Sequence, residues 1–102
     1  MNDTSGLPSG SHSEIQFENE RFRVTKWTID PGGHIPMHRH DFDYVVVPLL
    51  PATVRIDFAD GTSTEAEQVP GASYARTAGA EHRLTNLSST SPVLFVETER
   101  LS

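Results

Sequence analysis

The sequence predicts an all-β protein, on three observations. Apolar residues recur at every second position within short runs, as in ATVRIDF at 52–58. No stretch shows the period of about 3.6 residues that is typical of an amphipathic helix. Turn sequences such as DPGG at 30–33 and ADGT at 59–62 separate the runs at intervals of about ten residues. About eight short strands at this spacing favour a β-sandwich or a small β-barrel.

The predicted strands follow one another along the chain. EIQFE and RFRVTKWTI come first, with a turn at residues 19–20 between them. A strand that carries two histidines begins after the DPGG turn, and Pro48 and Pro51 end it, because proline has no N–H to donate to a strand ladder. The chain continues through ATVRIDF, the polar segment 62–69, VPGASYA, AGAEHRLTN and VLFVETE. Four aromatic residues are predicted to be core residues: Phe17, Trp27, Phe58 and Phe95.

The last predicted strand is apolar on both faces. Val93 and Phe95 share one face of VLFVETE, Leu94 and Val96 share the other, and YVVV at 44–47 repeats the pattern. Such strands need cover on both sides, from a second layer or from a second subunit. A homodimer is therefore expected.

The chain length, 102 residues, allows a single domain with one modest core. Residues 1–13 are rich in Ser, Gly and Pro and are predicted to form a flexible N-terminal tail. Residues 14–102 are predicted to form the β-domain. His12 lies in the predicted tail, and we interpret it as a bystander.

Composition and charge exclude several classes of protein. Fourteen acidic residues outweigh eight Lys and Arg, the net charge is −6, and no basic cluster is present, so no nucleic-acid partner is expected. Cysteine is absent, which excludes disulfides and thiolate metal ligands. The sequence shows neither a signal-peptide pattern nor an apolar run long enough to span a membrane. We therefore expect a cytoplasmic protein with no membrane partner.

Three histidines form the predicted functional site. His38 and His40 stand one residue apart on a predicted strand, so both imidazoles point to the same face. If the alternation continues without a bulge, Tyr44 shares that face and Asp43 points away from it. His82 lies on a distant predicted strand, and a β-barrel brings such strands together around one metal ion.

The sequence around these histidines resembles the two motifs of the cupin family. The matching positions of the first motif are Gly32, His38 and His40, and those of the second are Gly71, Gly79, His82 and Asn86, with Thr77 in place of the usual proline. Together the motifs cover about a third of the chain. The resemblance is greatest to short, single-domain bacterial cupins of the type found in β-alanine degradation operons. It implies a single cupin-type jelly-roll β-barrel over about residues 14–101.

The first motif departs from the cupin pattern at its fourth metal ligand. Tyr44 stands where the family has a glutamate, and Pro51 replaces the usual final glycine. Tyr44 has three interpretations: a core aromatic, a phenol that donates a hydrogen bond to a metal-bound ligand, or a metal ligand itself. Asp43 would bind the metal, or contact one of its ligands, only if a β-bulge changed the face of the strand to which its side chain points.

The resemblance implies a small metalloenzyme. His38, His40 and His82 would hold a divalent ion and leave positions open for water or substrate. By analogy with three-histidine cupins, Fe(II) is favoured, with a dioxygenase reaction on a small organic acid or dicarbonyl. Zn, Ni or Mn would also fit these ligands. Two alternatives stay open: a non-catalytic module that binds a metal or small molecule, and an oxygen-independent Lewis-acid isomerase or lyase.

Three further residues have both a functional and an ordinary interpretation. Arg76 shares a face with Tyr74 and would suit a substrate carboxylate, although a surface arginine paired with an acid is an equal alternative. Glu81, next to His82, would orient the imidazole or carry a proton, but a glutamate in a turn is usually only solvated. His34 is predicted to be an exposed loop residue.

Overall fold

The structure is a computed structural model that describes residues 9–102, and these residues form β-strands and turns only. The described strands are β1 (Ser11–Glu18), β2 (Phe22–Ile29), β3 (His34–Arg39), β4 (Tyr44–Pro48), β5 (Ala52–Phe58), β6 (Ser63–Gln68), β7 (Tyr74–Arg76), β8 (Glu81–Asn86) and β9 (Val93–Arg100). The all-β prediction is confirmed. Within the same range, no helix exists that is long and apolar enough to cross a membrane.

The strands form two antiparallel sheets that face each other as in a jelly roll. One sheet has five strands in the order β1-β2-β9-β4-β7, and the other has four in the order β3-β8-β5-β6. Strand β9 is inserted between β2 and β4, in the middle of the larger sheet. This central position is typical of a strand that is apolar on both faces. Among residues 9–102, no strand ladder joins the two sheets into one closed barrel.

Strand β1 begins earlier than the predicted domain. Its first residue, Ser11, pairs with Ile29, and Ser13 pairs with Trp27. The predicted boundary at residue 14 therefore falls inside this strand, and His12 belongs to the strand rather than to a tail. Residues 1–8 of the predicted tail lie outside the described residues.

The core lies between the sheets and contains mostly branched side chains. Its buried apolar members are Ile29, Ile35, Tyr44, Val46, Val54, Val93 and Phe95, with Trp27 packed against them. The prediction was wrong for Phe17, which is 54% exposed, because β1 is an edge strand whose register shifts between Ile15 and Phe17. Phe58, at the end of β5, is 36% exposed.

The predicted histidine strand is divided into two strands. Strand β3 ends at Arg39 in the smaller sheet, and β4 begins at Tyr44 in the larger one. Residues 40–43 cross from one sheet to the other. Unbroken alternation from His38 to Tyr44 was therefore the wrong reason for placing both side chains in the interior, although both lie there.

Candidate metal centre

A β-bulge in strand β3 sets the direction of His38. The pairing of β3 with β8 shifts between Ile35 and His38, so that residues 36–37 together occupy one position of the ladder. The extra residue reverses the strand parity. As a result, Ile35 and His38 both face the interior although they are three residues apart. Pro36 is tolerated at the bulge because no ladder hydrogen bond needs its missing N–H.

The backbone of His40 is held by the turn that precedes β8. Its N–H donates a hydrogen bond to the carbonyl of Ala80 at 2.8 Å, and its carbonyl accepts one from the N–H of Gly79 at 2.8 Å. Gly79 has a φ of 99°, a backbone conformation that favours glycine. This turn therefore fixes His40 beside His82, and the glycine of the second motif has a structural role in the site.

The three predicted histidines come together between the sheets. The Nε2 atom of His40 lies 2.9 Å from that of His38 and 3.2 Å from that of His82. Two ring nitrogens that ligate one ion at about 2.0–2.1 Å are about 2.8–3.4 Å apart for angles at the metal of about 90–110°. The observed spacing therefore fits a donor set for one divalent ion.

The orientation and charge of the rings also suit a metal. Nδ1 of His38 lies 2.8 Å from the Pro36 carbonyl. In the tautomer whose Nδ1–H donates this bond, His38 presents the lone pair of Nε2 to the cluster. The pKa values of His40 and His82 are each lowered to about 4, mainly by burial and secondarily by the neighbouring His38. Both rings are therefore neutral near pH 7, the form that binds metals.

Tyr44 packs directly on the histidine cluster. Its ring stacks on that of His40 with a centroid distance of 3.9 Å. The side chain is 4% exposed, and its hydroxyl has no hydrogen-bond partner within residues 9–102. Burial raises the pKa of Tyr44, and the charge of Glu97 raises it further. Tyr44 is therefore a neutral phenol, which suits the role of hydrogen-bond donor better than that of metal ligand.

Asp43 lies outside the cluster. Its Oδ1 accepts a hydrogen bond from the N–H of Ala78 at 2.8 Å, and its Oδ2 is 3.9 Å from the Arg100 guanidinium. Its side chain is half exposed. The bulge that the prediction required occurs in β3, before the histidines, so it turns His38 inward and leaves Asp43 outside.

The other predicted side chains lie around the site rather than in it. Arg76 is exposed, with its guanidinium 4.7 Å from the centre of the Tyr74 ring. Glu81 is exposed at the start of β8. His34 is the first residue of β3 rather than a loop residue, and it lines a groove on the outer face of the smaller sheet.

Two cavities meet at the histidine cluster. One, of about 310 Å³, lies between the sheets and is lined by Tyr44, Tyr74, Arg76, His82, Phe95 and Glu97, among others. The second, of about 290 Å³, opens beside β1 and β2 and is lined by Arg23, Trp27, His38, His40, Glu97 and Glu99, among others. A larger surface pocket of about 360 Å³ near Val45 is also lined by Asp43, Tyr44 and Arg76, but no histidine lines it, so we do not place the metal centre there.

Glu97 is a site residue that the sequence reasoning missed. It is 8% exposed and lies with His40 and Glu99 in a group whose potential ligand atoms are all within 4.8 Å of one another. Burial and the charge of Glu99 raise the pKa of Glu97 to about 7. One signal was available: the alternation from Val93 and Phe95 places Glu97 on the same inward face of β9.

Asn86, matched by the second motif, has a structural role. Its Nδ2 donates to the carbonyls of Ile29, Asp30 and Ser91 at 3.1, 3.2 and 2.8 Å. Its Oδ1 accepts a hydrogen bond from the N–H of Ser88 at 2.9 Å. The side chain therefore ties together the turns at one end of the two sheets and lies outside the metal centre.

Two facing antiparallel sheets with three histidines between them define a cupin-type protein, and comparisons with known proteins agree. The beta-alanine degradation protein BauB of Pseudomonas aeruginosa is 42% identical over 95 residues, which are 93% of this chain and 97% of that protein. A cupin domain from Bordetella pertussis is 36% identical and superimposes with a TM-score of 0.86, covering 100% of this chain and 99% of that one. The chain belongs to the cupin superfamily, as a short single-domain bacterial cupin.

More distant structures share the fold alone. The polyketide cyclase RemF from Streptomyces resistomycificus is 17% identical with a TM-score of 0.73, over 98% of this chain and 72% of that one. No protein-family model matches the chain.

Proposed function

We propose that this cupin is a metal-dependent dioxygenase in which His38, His40 and His82 bind one divalent ion, with Fe(II) as the first candidate. The observation that carries the proposal is the convergence of three Nε2 atoms, with spacings of 2.9 and 3.2 Å, between the sheets. When bound, the ion would supply Lewis acidity and, if it is iron, reactivity toward dioxygen. Zn, Ni and Mn fit the same ligands, because the ligand set alone does not select among them.

The substrate that we propose is a small organic acid with a second carbonyl group. The relative BauB is named for β-alanine degradation. β-Alanine carries its amine on the third carbon, so transamination, which moves the amine to a 2-oxo acid acceptor, leaves a three-carbon 3-oxo acid. In the proposed reaction the bond between its second and third carbons breaks and each fragment receives one oxygen atom of O₂. The products would be formic acid and glyoxylic acid, which together contain all atoms of the substrate and of O₂.

Two side chains of the larger cavity would position such a substrate. The buried Tyr44 hydroxyl has no hydrogen-bond partner within residues 9–102, and it would donate a hydrogen bond to a carbonyl oxygen next to the histidines. Arg76 lines the same cavity and is exposed, so its guanidinium would receive the carboxylate. The remaining lining includes Val46, Leu84 and Phe95, whose apolar side chains would exclude water from the reacting atoms.

The test is metal analysis of protein purified without a tag or chelator, beside the triple variant His38→Ala, His40→Ala, His82→Ala. We expect near one equivalent of iron in the wild-type protein, none in the variant, and one O₂ consumed per 3-oxopropanoate. Zinc or nickel without oxygen uptake would support a Lewis-acid isomerase or lyase instead. Bound metal with no turnover at all would support the non-catalytic binding module. Absence of metal after reconstitution would contradict the proposal.

The homodimer and the cytoplasmic location stay predictions. Ile15 and Phe17 on edge strand β1 are 59% and 54% exposed, and a second copy of the chain would cover them. Sedimentation equilibrium of the untagged protein tests this, because a dimer has twice the 11.3 kDa mass of the chain.

A further inference from the structure

We propose that Glu97 of strand β9 supplies the carboxyl group of the metal centre. In the cupin pattern a glutamate of the first motif has this role, and here Tyr44 stands at that position. The inference rests on the proposed function and deepens it, because it adds a fourth group to the three histidines. Glu97 belongs to neither motif.

The sheet topology brings Glu97 to the site. Strand β9 lies between β2 and β4, and Glu97 pairs with Thr25 on one side and with Val46 on the other. Phe95, two residues earlier on the same face of β9, is buried in the core. The Glu97 side chain therefore enters the space between the sheets. On the other side of this space, His38 lies on β3, His82 on β8, and His40 directly after β3.

The distances allow the carboxylate to reach the ion. A carboxylate oxygen of Glu97 and a ring nitrogen of His40 belong to a group of atoms within 4.8 Å of one another. An oxygen and a nitrogen that ligate the same ion are about 3 Å apart. The difference is less than about 2 Å, a movement that rotation about the side-chain bonds of a glutamate provides.

Glu97 is also the carboxyl group of this region that lacks a cationic partner. Arg23 binds the neighbouring Glu99 through two hydrogen bonds, Nε to Oε1 at 2.8 Å and Nη2 to Oε2 at 3.2 Å. Within the part of the chain that the structure describes, no Lys, Arg or His forms an ion pair with Glu97. A divalent ion on the histidines would add positive charge beside this carboxyl group, which is 8% exposed.

The cavities give an independent indication. Glu97 lines both the cavity that contains His38 and His40 and the cavity that contains His82 and Tyr44. It therefore lies where the two spaces meet. The hydroxyl of Tyr44, which has no hydrogen-bond partner among the described residues, is buried in the same region, so the polar groups here point to a ligand between them.

The experiment compares Glu97→Gln with Glu99→Gln in the untagged full-length protein, with Co(II) as the probe. Glutamine keeps the size of the side chain and removes its negative charge. We expect Glu97→Gln to weaken Co(II) binding about 10–100-fold, measured by competition with a chelator, and to change the visible absorption bands of bound Co(II). The matched control is Glu99→Gln, two residues further on the same face of β9. It should change the Co(II) affinity less than threefold and leave the absorption bands unchanged.

A second variant and a folding check keep the test decisive. Circular dichroism and thermal unfolding of each metal-free variant establish that it is folded, and Glu97→Asp, which retains a carboxylate, should recover part of the affinity. If Glu97→Gln binds Co(II) as tightly as wild type with the same spectrum, the inference is overturned while the three-histidine site stands. If wild-type protein binds no Co(II), both the inference and the proposed function are overturned.

Discussion

Strand β8 carries two buried polar side chains, four residues apart, whose surroundings are opposite in kind. Asn86 is 2% exposed, and backbone groups at the β2–β3 and β8–β9 connections satisfy its amide. His82 is 8% exposed, and within residues 9–102 its ring nitrogens have one polar atom at hydrogen-bond distance, the Nε2 of His40 at 3.2 Å.

The two side chains therefore differ in role: Asn86 stabilises the fold, and His82 is available to bind a ligand. A buried polar group whose hydrogen bonds are all made stabilises the fold, and its surroundings offer nothing to a ligand. A group of polar atoms that face one another without other partners stabilises nothing by itself, and it is the arrangement that a bound ion completes. Both residues belong to the same sequence motif, so the motif alone does not distinguish their roles.

The largest expected effect is on metal binding at the histidine end of β8. His82→Ala removes one of three nitrogen ligands, so the affinity for a divalent ion should fall by about 100-fold or more. Competition with a chelator measures this. His34→Ala is the control, because His34 lies on β3 but lines the outer groove, and it should bind metal as wild type does. If His82→Ala still bound about one equivalent of metal, the proposed difference in role between His82 and Asn86 would be contradicted.

The second effect is on stability at the other end of the strand. Asn86→Ala removes one side-chain acceptor and the donor for three backbone carbonyls, and the free energy of unfolding should fall by about 3 kcal/mol. Urea unfolding of the metal-free protein measures it. Thr85→Ala, the adjacent position on the same strand, should cost less than about 1 kcal/mol. A similar loss in both variants would contradict a special role for Asn86, and metal stoichiometry should stay unchanged in each.

A third prediction compares two tyrosines. The hydroxyl of Tyr44 has no partner in the described chain, whereas that of Tyr74 accepts a hydrogen bond from Gln68 Nε2 at 3.0 Å. Tyr44→Phe should therefore leave the metal-free protein as stable as wild type or slightly more stable, and Tyr74→Phe should cost about 1 kcal/mol.

In the metal-loaded protein, Tyr44→Phe should have a larger effect on ligand binding than Tyr74→Phe. Tyr44→Phe should weaken the binding of azide, a small probe for open metal positions, by about fivefold, because one hydrogen bond to the bound anion is lost. Tyr74→Phe should leave azide affinity within a factor of two. If Tyr44→Phe destabilises the metal-free protein as much as Tyr74→Phe does, Tyr44 is an ordinary core residue.

Much of the site could be predicted from local sequence, and the remainder depends on strand order. The spacing of His38 and His40 was enough to place both side chains on one face, because the alternation of side chains along a strand is a local property. His82 was grouped with them from its position on a distant predicted strand. The parity of the interior positions was missed, because Pro36 was not interpreted as the mark of a bulge and the crossing at residues 40–43 carries no distinct sequence signal. Glu97 was missed because its place depends on β9 lying between β2 and β4, a contact between distant parts of the chain.

The smallest expected effect is at Arg76, on the rim of the cavity. Its guanidinium is exposed and stacked 4.7 Å from the centre of the Tyr74 ring, so Arg76→Gln should change the free energy of unfolding by less than about 0.5 kcal/mol. Malonate, a stable three-carbon diacid, should bind the metal-loaded variant about three- to tenfold more weakly in calorimetric titration. The difference from wild type should shrink at high salt, because exposed charges are screened.

Arg55→Gln, which alters an exposed arginine beside Asp57 outside this cavity, should bind malonate normally. Equal malonate affinity in Arg76→Gln and wild type at low salt would make Arg76 a surface arginine and confine recognition to the buried groups around His82.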